Sequence, residues 1–294
     1  MNLRNSLYFV FTFSLILALV SCKPADKKVS DGDFPPSDEQ LVEKLQKLAN
    51  ELPSPTEIPY IIQASGAEFN ESFLNPRSKT DSYVPRVDKA ALNLGVYTAD
   101  IGYLVSYEKT QEAIDYLNSC KILADNLGVI GSFDIELLKR FEANIANKDS
   151  LSNLLDQTIR QTERLLRDDA RTKLAVLVMT GSFVEGLYIS TGLVNSYPKD
   201  LLPADSRNLI LTPVIQVILN QKKSVDDLLE MLTSVEQTDP VATIVNDVQE
   251  LQKAYNALDI EEQINQNRAD LILTDKNLVQ ITEIVGRIRT LITE

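Results

Sequence analysis

Apolar side chains recur every three or four residues over most of the chain from Val87 onward, the period of an amphipathic helix. No segment shows the strict alternation of a half-buried strand, and glycine and proline residues separate the helical segments. The pattern predicts an all-α fold, a multi-helix bundle of antiparallel helices joined by short turns. We expect helices near 88–107, 109–127, 133–147, 150–167, 169–196, 206–222, 224–236, 240–257 and 276–293.

Two of these segments are far more apolar than the rest. Leu174 to Val194 spans 21 residues with Glu185 as its single charge, and Leu92 to Leu104 has the same character around Asp100. A helix that is apolar all round is expected at the centre of a large helical domain, and a membrane span is disfavoured by the acid at its middle. Glycine costs a helix about 1 kcal/mol relative to alanine, so the glycines imply that a neighbour packs close to the backbone. We therefore expect these two helices to pack together through Gly95, Gly102, Gly181, Gly186 and Gly192.

Residues 51–86 are the least regular part of the pattern. Five prolines interrupt this region, which predicts short helices and irregular connections. Before it, Ser37 and Gln40 have the spacing of a capping box, which indicates a helix start. The prolines are Pro53, Pro55, Pro59, Pro76 and Pro85.

The N-terminus has the features of a secretory signal. Arg4 precedes 14 mostly apolar residues, Leu7 to Val20, and the run ends in Leu19-Val20-Ser21-Cys22. This motif resembles the signal peptides of bacterial lipoproteins, in which the cysteine takes a diacylglycerol and its new amino group is acylated, for example with palmitate. An uncleaved membrane helix is the alternative, but 14 residues fall short of the ~20 that span a bilayer. The resemblance implies a signal peptide at 1–21 and a lipid on Cys22.

A polar, proline-bearing stretch follows the cysteine. Its composition is typical of a flexible tether over 22–36, and 37–294 is expected to form a single all-helical domain. Lys23 comes directly after Cys22, where aspartate would retain a lipoprotein in the inner membrane. Similarity to that sorting rule suggests a lipid-anchored protein of the bacterial cell envelope, held in the outer membrane.

Composition excludes several chemistries. The chain has no histidine, so a His-based triad, a His-containing zinc site and a His-ligated haem are all excluded. Cys120 is the only cysteine besides Cys22, and we expect it to be a buried structural thiol. The net charge of −13 repels phosphate backbones, which argues against a nucleic-acid partner. We predict no metal and no cofactor.

Asp100 and Glu185 are the acids embedded in the two apolar helices. A buried carboxylate must be paired, hydrogen-bonded or protonated. One interpretation is a structural network with tyrosine hydroxyls or with Arg160, Arg164 or Lys173. The other is a shared pocket that binds a small molecule or a cation. The candidate pocket residues are Asp100, Glu185, Tyr97, Tyr103 and Tyr188, and Tyr107 is a further hydroxyl that could join the structural network.

Four segments resemble those of a family of helical lipoproteins from Gram-negative bacteria. The resemblance spans roughly residues 85 to 290 and implies the all-α fold and the envelope address. It implies no activity and no catalytic residue. The segments are Leu94 to Tyr103, Leu123 to Gly128, Asp149 to Leu151 and Gly181 to Tyr188.

These observations lead to two functional hypotheses. The first is a membrane-anchored interaction or binding lipoprotein that works without chemical catalysis, with the membrane and an envelope protein as its partners. The second is a small-molecule or cation-binding protein, or an enzyme, built around Asp100 and Glu185. They differ in whether the two acids face an open cavity or are satisfied by neighbouring groups.

Overall fold

A computed structural model describes residues 57–64, 66–129, 172–198, 200–259 and 264–294, together with isolated positions between 140 and 157. All these residues belong to one compact unit. The signal peptide, the tether and the helix start at Ser37 lie outside the described residues. So do most of the predicted helices 133–147 and 150–167, and with them Arg160 and Arg164.

The described residues contain helices and no strand, which confirms the all-α fold class. Each predicted helix that falls within the described ranges is present, with ends that differ from the prediction by at most three residues. The four-residue helix α9 was not predicted. The helices are α1 (Glu57–Ala64), α2 (Thr80–Tyr83), α3 (Val87–Ser106), α4 (Thr110–Asn126), α5 (Thr172–Ser196), α6 (Ala204–Leu219), α7 (Lys222–Ser234), α8 (Val241–Asn256), α9 (Ala269–Ile272) and α10 (Lys276–Thr293).

The helix boundaries follow from local chemistry. Pro203 and Pro240 immediately precede α6 and α8, where their missing N–H groups cost no helical hydrogen bond. Gly128 follows the end of α4 with φ of 71°, a conformation that glycine adopts without strain. Asp275 caps α10, because its side chain accepts hydrogen bonds from the backbone N–H groups of Asn277 and Leu278 at 2.8 and 3.4 Å.

The proline-bearing region is broken into short pieces, as predicted. Besides α1 and α2 it contains two 3₁₀ turns, Glu71–Phe73 and Arg77–Lys79. Asn70 starts the first turn by accepting a hydrogen bond from the backbone N–H of Ser72 at 3.0 Å. These turns carry the chain across the ends of longer helices and place its backbone polar groups against them.

Helix α5 is the central element, as its composition predicted. It contacts α1, α3, α6, α7 and α10, and its side chains are mostly buried. Within the described part of the chain, Lys173–Ser196 is the helix that is long and apolar enough to cross a membrane, and 83% of its most apolar window is buried inside the domain. This burial against five other helices is typical of a core helix.

Helices α3 and α5 cross with their backbones in contact. A Cβ atom added to Gly95 would lie 2.0 Å from the carbonyl oxygen of Val178, and one added to Gly181 would lie 1.9 Å from that of Leu92. Neither position can carry a side chain while the two helices lie this close together. This confirms the predicted close packing. In the same helix, a Cβ on Gly192 would lie 2.5 Å from the ring of Phe73.

Gly186 does not follow this prediction. A Cβ atom added there would have no neighbour within 4 Å, so this glycine serves no close approach between helices. Glycine content alone does not reveal which face of a helix meets a neighbour. Gly181 lies on the buried face of α5, whereas Gly186 is partly exposed.

Candidate functional site

Asp100 and Glu185 come together beside the glycine crossing. Asp100 lies five residues after Gly95 on α3, and Glu185 lies four residues after Gly181 on α5, about one helical turn in each case. Both side chains are completely buried. The close approach of the two backbones therefore brings two acids to one place in the core.

Glu185 is paired with an arginine from the last helix. The Nε and Nη2 atoms of Arg289 donate to Oε2 and Oε1 of Glu185 at 3.2 and 3.3 Å, a two-pronged contact. Nη2 also donates to the carbonyl oxygen of Phe73 at 3.3 Å, and the guanidinium lies 4.5 Å from the centre of the Tyr188 ring. Since 15% of the Arg289 side chain is exposed, the arginine closes the site on its solvent side.

Asp100 has no cationic partner of its own in the described structure. Its Oδ2 atom accepts a hydrogen bond from the backbone N–H of Asn75 at 3.2 Å, while Oδ1 receives none from the described donors. The carboxyl groups of Asp100 and Glu185 lie close enough for each to affect the ionisation of the other. Burial, and then the charge of Glu185, raise the pKa of Asp100 well above its usual range. Burial also raises the pKa of Glu185, although Arg289 opposes the effect.

A polar network extends from Asp100 to the C-terminal turn of α10. Asn75 donates through Nδ2 to the side-chain oxygens of Asn93 and Tyr83 at 3.1 and 3.2 Å. These two residues in turn donate to the last carbonyls of α10, Asn93 to Ile292 at 3.0 Å and Tyr83 to Thr293 at 2.9 Å. The carbonyls at a helix C-terminus have no partner within the helix, so this network satisfies them.

The predicted tyrosines do not contact the acids directly. The hydroxyl of Tyr97 donates to the carbonyl oxygen of Pro76, and that of Tyr103 donates to the carbonyl oxygen of Asn70, at 3.2 Å in each case. Tyr188 reaches the pair only through Arg289. The hydroxyl of Tyr107 is buried with no partner among the described groups.

Lys173, the remaining described candidate for a basic partner, is used elsewhere. Its Nζ atom lies 3.0 Å from a carboxylate oxygen of Glu236. Of the expected tyrosine and basic residues that the structure describes, Tyr188 is the one that lies against Arg289 beside the acids.

The sequence analysis missed Arg289, Asn75 and Asn93. Arg289 is 104 residues from Glu185, and no local pattern connects positions so far apart. One signal was available: Arg289 lies four residues after Val285 and three before Ile292, both buried, which places it at the margin of the apolar face of α10.

The arrangement favours a structural role over an open pocket. Glu185 accepts two hydrogen bonds from an arginine, Asp100 accepts one from a backbone N–H, and both side chains are completely buried, so neither acid faces solvent. Within the described residues, no group of three or more Cys, Asp or Glu side chains is placed to hold a metal ion. Cys120 is buried, and its pKa is raised by that burial.

No protein-family model, curated protein or solved structure matches the chain.

Proposed function

We propose that the protein is a lipid-anchored helical lipoprotein of the bacterial cell envelope, which acts by binding another envelope component. The observation that carries this proposal is the sequence Leu19-Val20-Ser21-Cys22 directly after 14 mostly apolar residues. A secretory signal that ends in a small residue and a cysteine supports removal of 1–21 and lipidation of Cys22. The resemblance to helical lipoproteins of Gram-negative bacteria points the same way.

A binding role is supported by where the reactive groups lie. The acids of the two central helices, the free thiol and most of the described tyrosines are buried and engaged within the domain. The surface is therefore the part of the protein available to a partner. With a net charge of −13, that surface favours a neutral or basic protein over nucleic acid or an anionic lipid surface.

Membrane fractionation tests the anchor. We expect Cys22→Ala to move the protein from the membrane pellet to the soluble fraction and to abolish incorporation of labelled palmitate. Cys120→Ala is the matched control, because it removes the other cysteine from a buried position and should leave both results unchanged. A Cys22→Ala protein that still sediments with membranes would contradict the proposal.

A separate experiment tests the proposed location in the outer membrane. Lys23→Asp should shift the protein to the inner-membrane band of a density gradient, whereas Lys23→Arg should leave it in the outer-membrane band. Equal distribution of the two variants would refute the assignment to the outer membrane and leave the lipid anchor intact.

Crosslinking tests the binding role. The lipidated protein is crosslinked in envelopes, purified and identified together with bound material by mass spectrometry, with Cys22→Ala as the control. We expect a partner in stoichiometric amount that the control lacks. Recovery of the protein alone would favour the second hypothesis.

The second hypothesis, a small-molecule or cation site at Asp100 and Glu185, is favoured by one observation. Oδ1 of Asp100 is buried and receives no hydrogen bond from the described donors. A cation at this atom would raise the melting temperature of the wild type and have no effect on Asp100→Asn. Melting in sodium, potassium, magnesium and calcium chlorides at equal ionic strength measures this difference.

A further inference from the structure

The two buried acids share one cationic group. Glu185 receives both hydrogen bonds from Arg289, and Arg289 is the only described basic side chain that is hydrogen-bonded to either acid. If both carboxyls were ionised, the site would carry a net negative charge away from water, which is strongly unfavourable. A proton on one of the two carboxyls removes the excess charge and allows that carboxyl to donate a hydrogen bond to the other.

The contacts identify which acid carries that proton. Both oxygens of Glu185 accept from Arg289, so Glu185 already has the partners of an ionised carboxylate. One oxygen of Asp100, Oδ2, accepts a hydrogen bond from the backbone N–H of Asn75. The other, Oδ1, receives none from the described donors. A proton on Asp100 that is donated to Glu185 satisfies both groups, and the two acids then titrate as a pair.

Two routes connect this pair to helix α10. The first route runs through Glu185, which accepts hydrogen bonds from Arg289 in the C-terminal half of α10. Through Asn75 the pair orients Asn93 and Tyr83, which bind the last carbonyls of the same helix. We propose that Asp100 and Glu185 hold one buried proton between them, and that this proton fastens α10 to α3 and α5, so that α10 loosens as the pH rises and the proton is lost.

Other ionisable groups around the pair keep their charge state while Asp100 titrates. Burial raises the pKa of Tyr83 on α2, of Tyr97 on α3, and of Tyr116 and Cys120 on α4, so all four stay neutral. The charge of Glu185 raises the pKa of Arg289 despite the opposing effect of burial, so the arginine stays positive.

Besides Lys79, whose Nζ atom donates to the carbonyl oxygen of Thr293 at 3.2 Å, Lys89 is a described group that could imitate the effect. Its Nζ atom donates to the carbonyl oxygens of Leu291 and Ile292 at 2.7 and 3.2 Å, and burial lowers its pKa. Loss of its charge at high pH would also weaken α10. Because Asp100→Asn retains Lys89, the difference between wild type and this variant isolates the carboxyl pair.

The sign of the pH effect follows from the direction of the shift. A folded state that raises the pKa of Asp100 binds more protons than the unfolded state, so its stability falls as pH rises above the unfolded pKa of about 4. The stability stops falling once the pH exceeds the pKa of Asp100 in the folded state. In Asp100→Asn the amide can donate to Glu185 and accept from Asn75 at any pH. Across this window, the wild-type folding constant should fall about tenfold per pH unit relative to the variant.

Hydrogen exchange of the full protein between pH 5 and pH 9 tests the proposal. After correction for intrinsic exchange rates, opening of α10 should increase by up to about tenfold per pH unit in the wild type relative to Asp100→Asn. Parallel profiles for the two proteins would overturn the proposal. A difference in global stability without a difference in α10 would overturn the link to that helix.

Infrared spectroscopy with ¹³C-labelled aspartate provides an independent readout. The wild type should show the carbonyl stretch of a protonated aspartic acid at pH 5, above the unfolded pKa of about 4, and Asp100→Asn should lack it. Absence of this band from the folded wild type at pH 5 would overturn the proposal, and so would a melting-temperature rise with a metal chloride that Asp100→Asn abolishes.

Discussion

Gly95→Ala is the most direct test of how the domain is built. The added methyl carbon would lie 2.0 Å from the carbonyl oxygen of Val178 and 2.6 Å from the backbone nitrogen of Ser182. Ordinary contact begins near 3.4 Å, so α3 and α5 would have to separate by more than 1 Å. The obstructing atoms belong to the backbone of a central helix and cannot rotate away. Overpacking of this kind costs about 1–3 kcal/mol, or more, which exceeds the gain of about 1 kcal/mol from replacing glycine in a helix.

Gly186→Ala is the matched control on the same pair of helices. Its methyl carbon would meet no atom within 4 Å, so the helix-propensity gain is unopposed. A contact of 2.0 Å with backbone lies at or beyond the upper end of the overpacking cost, so after the propensity gain we expect Gly95→Ala to lower the free energy of unfolding by about 2 kcal/mol or more, whereas Gly186→Ala should raise it by about 0.5–1 kcal/mol.

Urea titration of each purified protein, followed by circular dichroism, measures both free energies of unfolding. Shifts of opposite sign at an unchanged urea dependence would support the backbone contact between α3 and α5. If Gly95→Ala were as stable as the wild type, or if both variants shifted in the same direction, the packing described for these helices would be wrong.

Three further predictions concern individual side chains. Glu185→Gln or Arg289→Met should each destabilise the protein by about 3–5 kcal/mol, because each leaves a buried partner uncompensated, and the double variant Glu185→Gln/Arg289→Met should recover part of that loss in the same urea titration. Cys120 should react with a thiol reagent only as fast as the protein unfolds, since it is fully buried and burial raises its pKa; rapid labelling of the native protein in a colorimetric thiol assay would contradict this. Asp275→Ala should cost about 1 kcal/mol by removing the N-cap of α10, whereas Asp275→Asn should cost far less, and thermal melting compares the two.

The sequence predicted the fold well because helical periodicity is a local property. The extent of α10 and the central position of α5 could be inferred from residues that are neighbours along the chain. The glycines predicted a close crossing, and Gly95 and Gly181 confirm it. They could not show that Gly186 faces away from every other helix, because that depends on which side of α5 meets its neighbours.

The site was only half predictable. Asp100 and Glu185 stand out because each is an acid in an apolar helix, and the structure brings the two side chains together. Their hydrogen-bond donors come from other elements: Arg289 from α10 and the backbone of Asn75 from a loop. A basic residue at the edge of an amphipathic helix looks like a surface residue until the tertiary contacts are known.

The capping of α10 by α2 and α3 also constrains the order in which the domain can fold. The hydrogen bonds from Tyr83 to Thr293 and from Lys89 to Leu291 close loops of 210 and 202 residues. Contacts between positions so far apart form slowly, because the entropy of the intervening chain must be lost before they stabilise anything. Until α10 packs against the domain, Glu185 lacks the positive charge of Arg289. The crossing of α3 and α5 then holds two acids with no counter-charge among the described residues. The core therefore cannot reach its final form before α10 has been synthesised and has packed against α3 and α5.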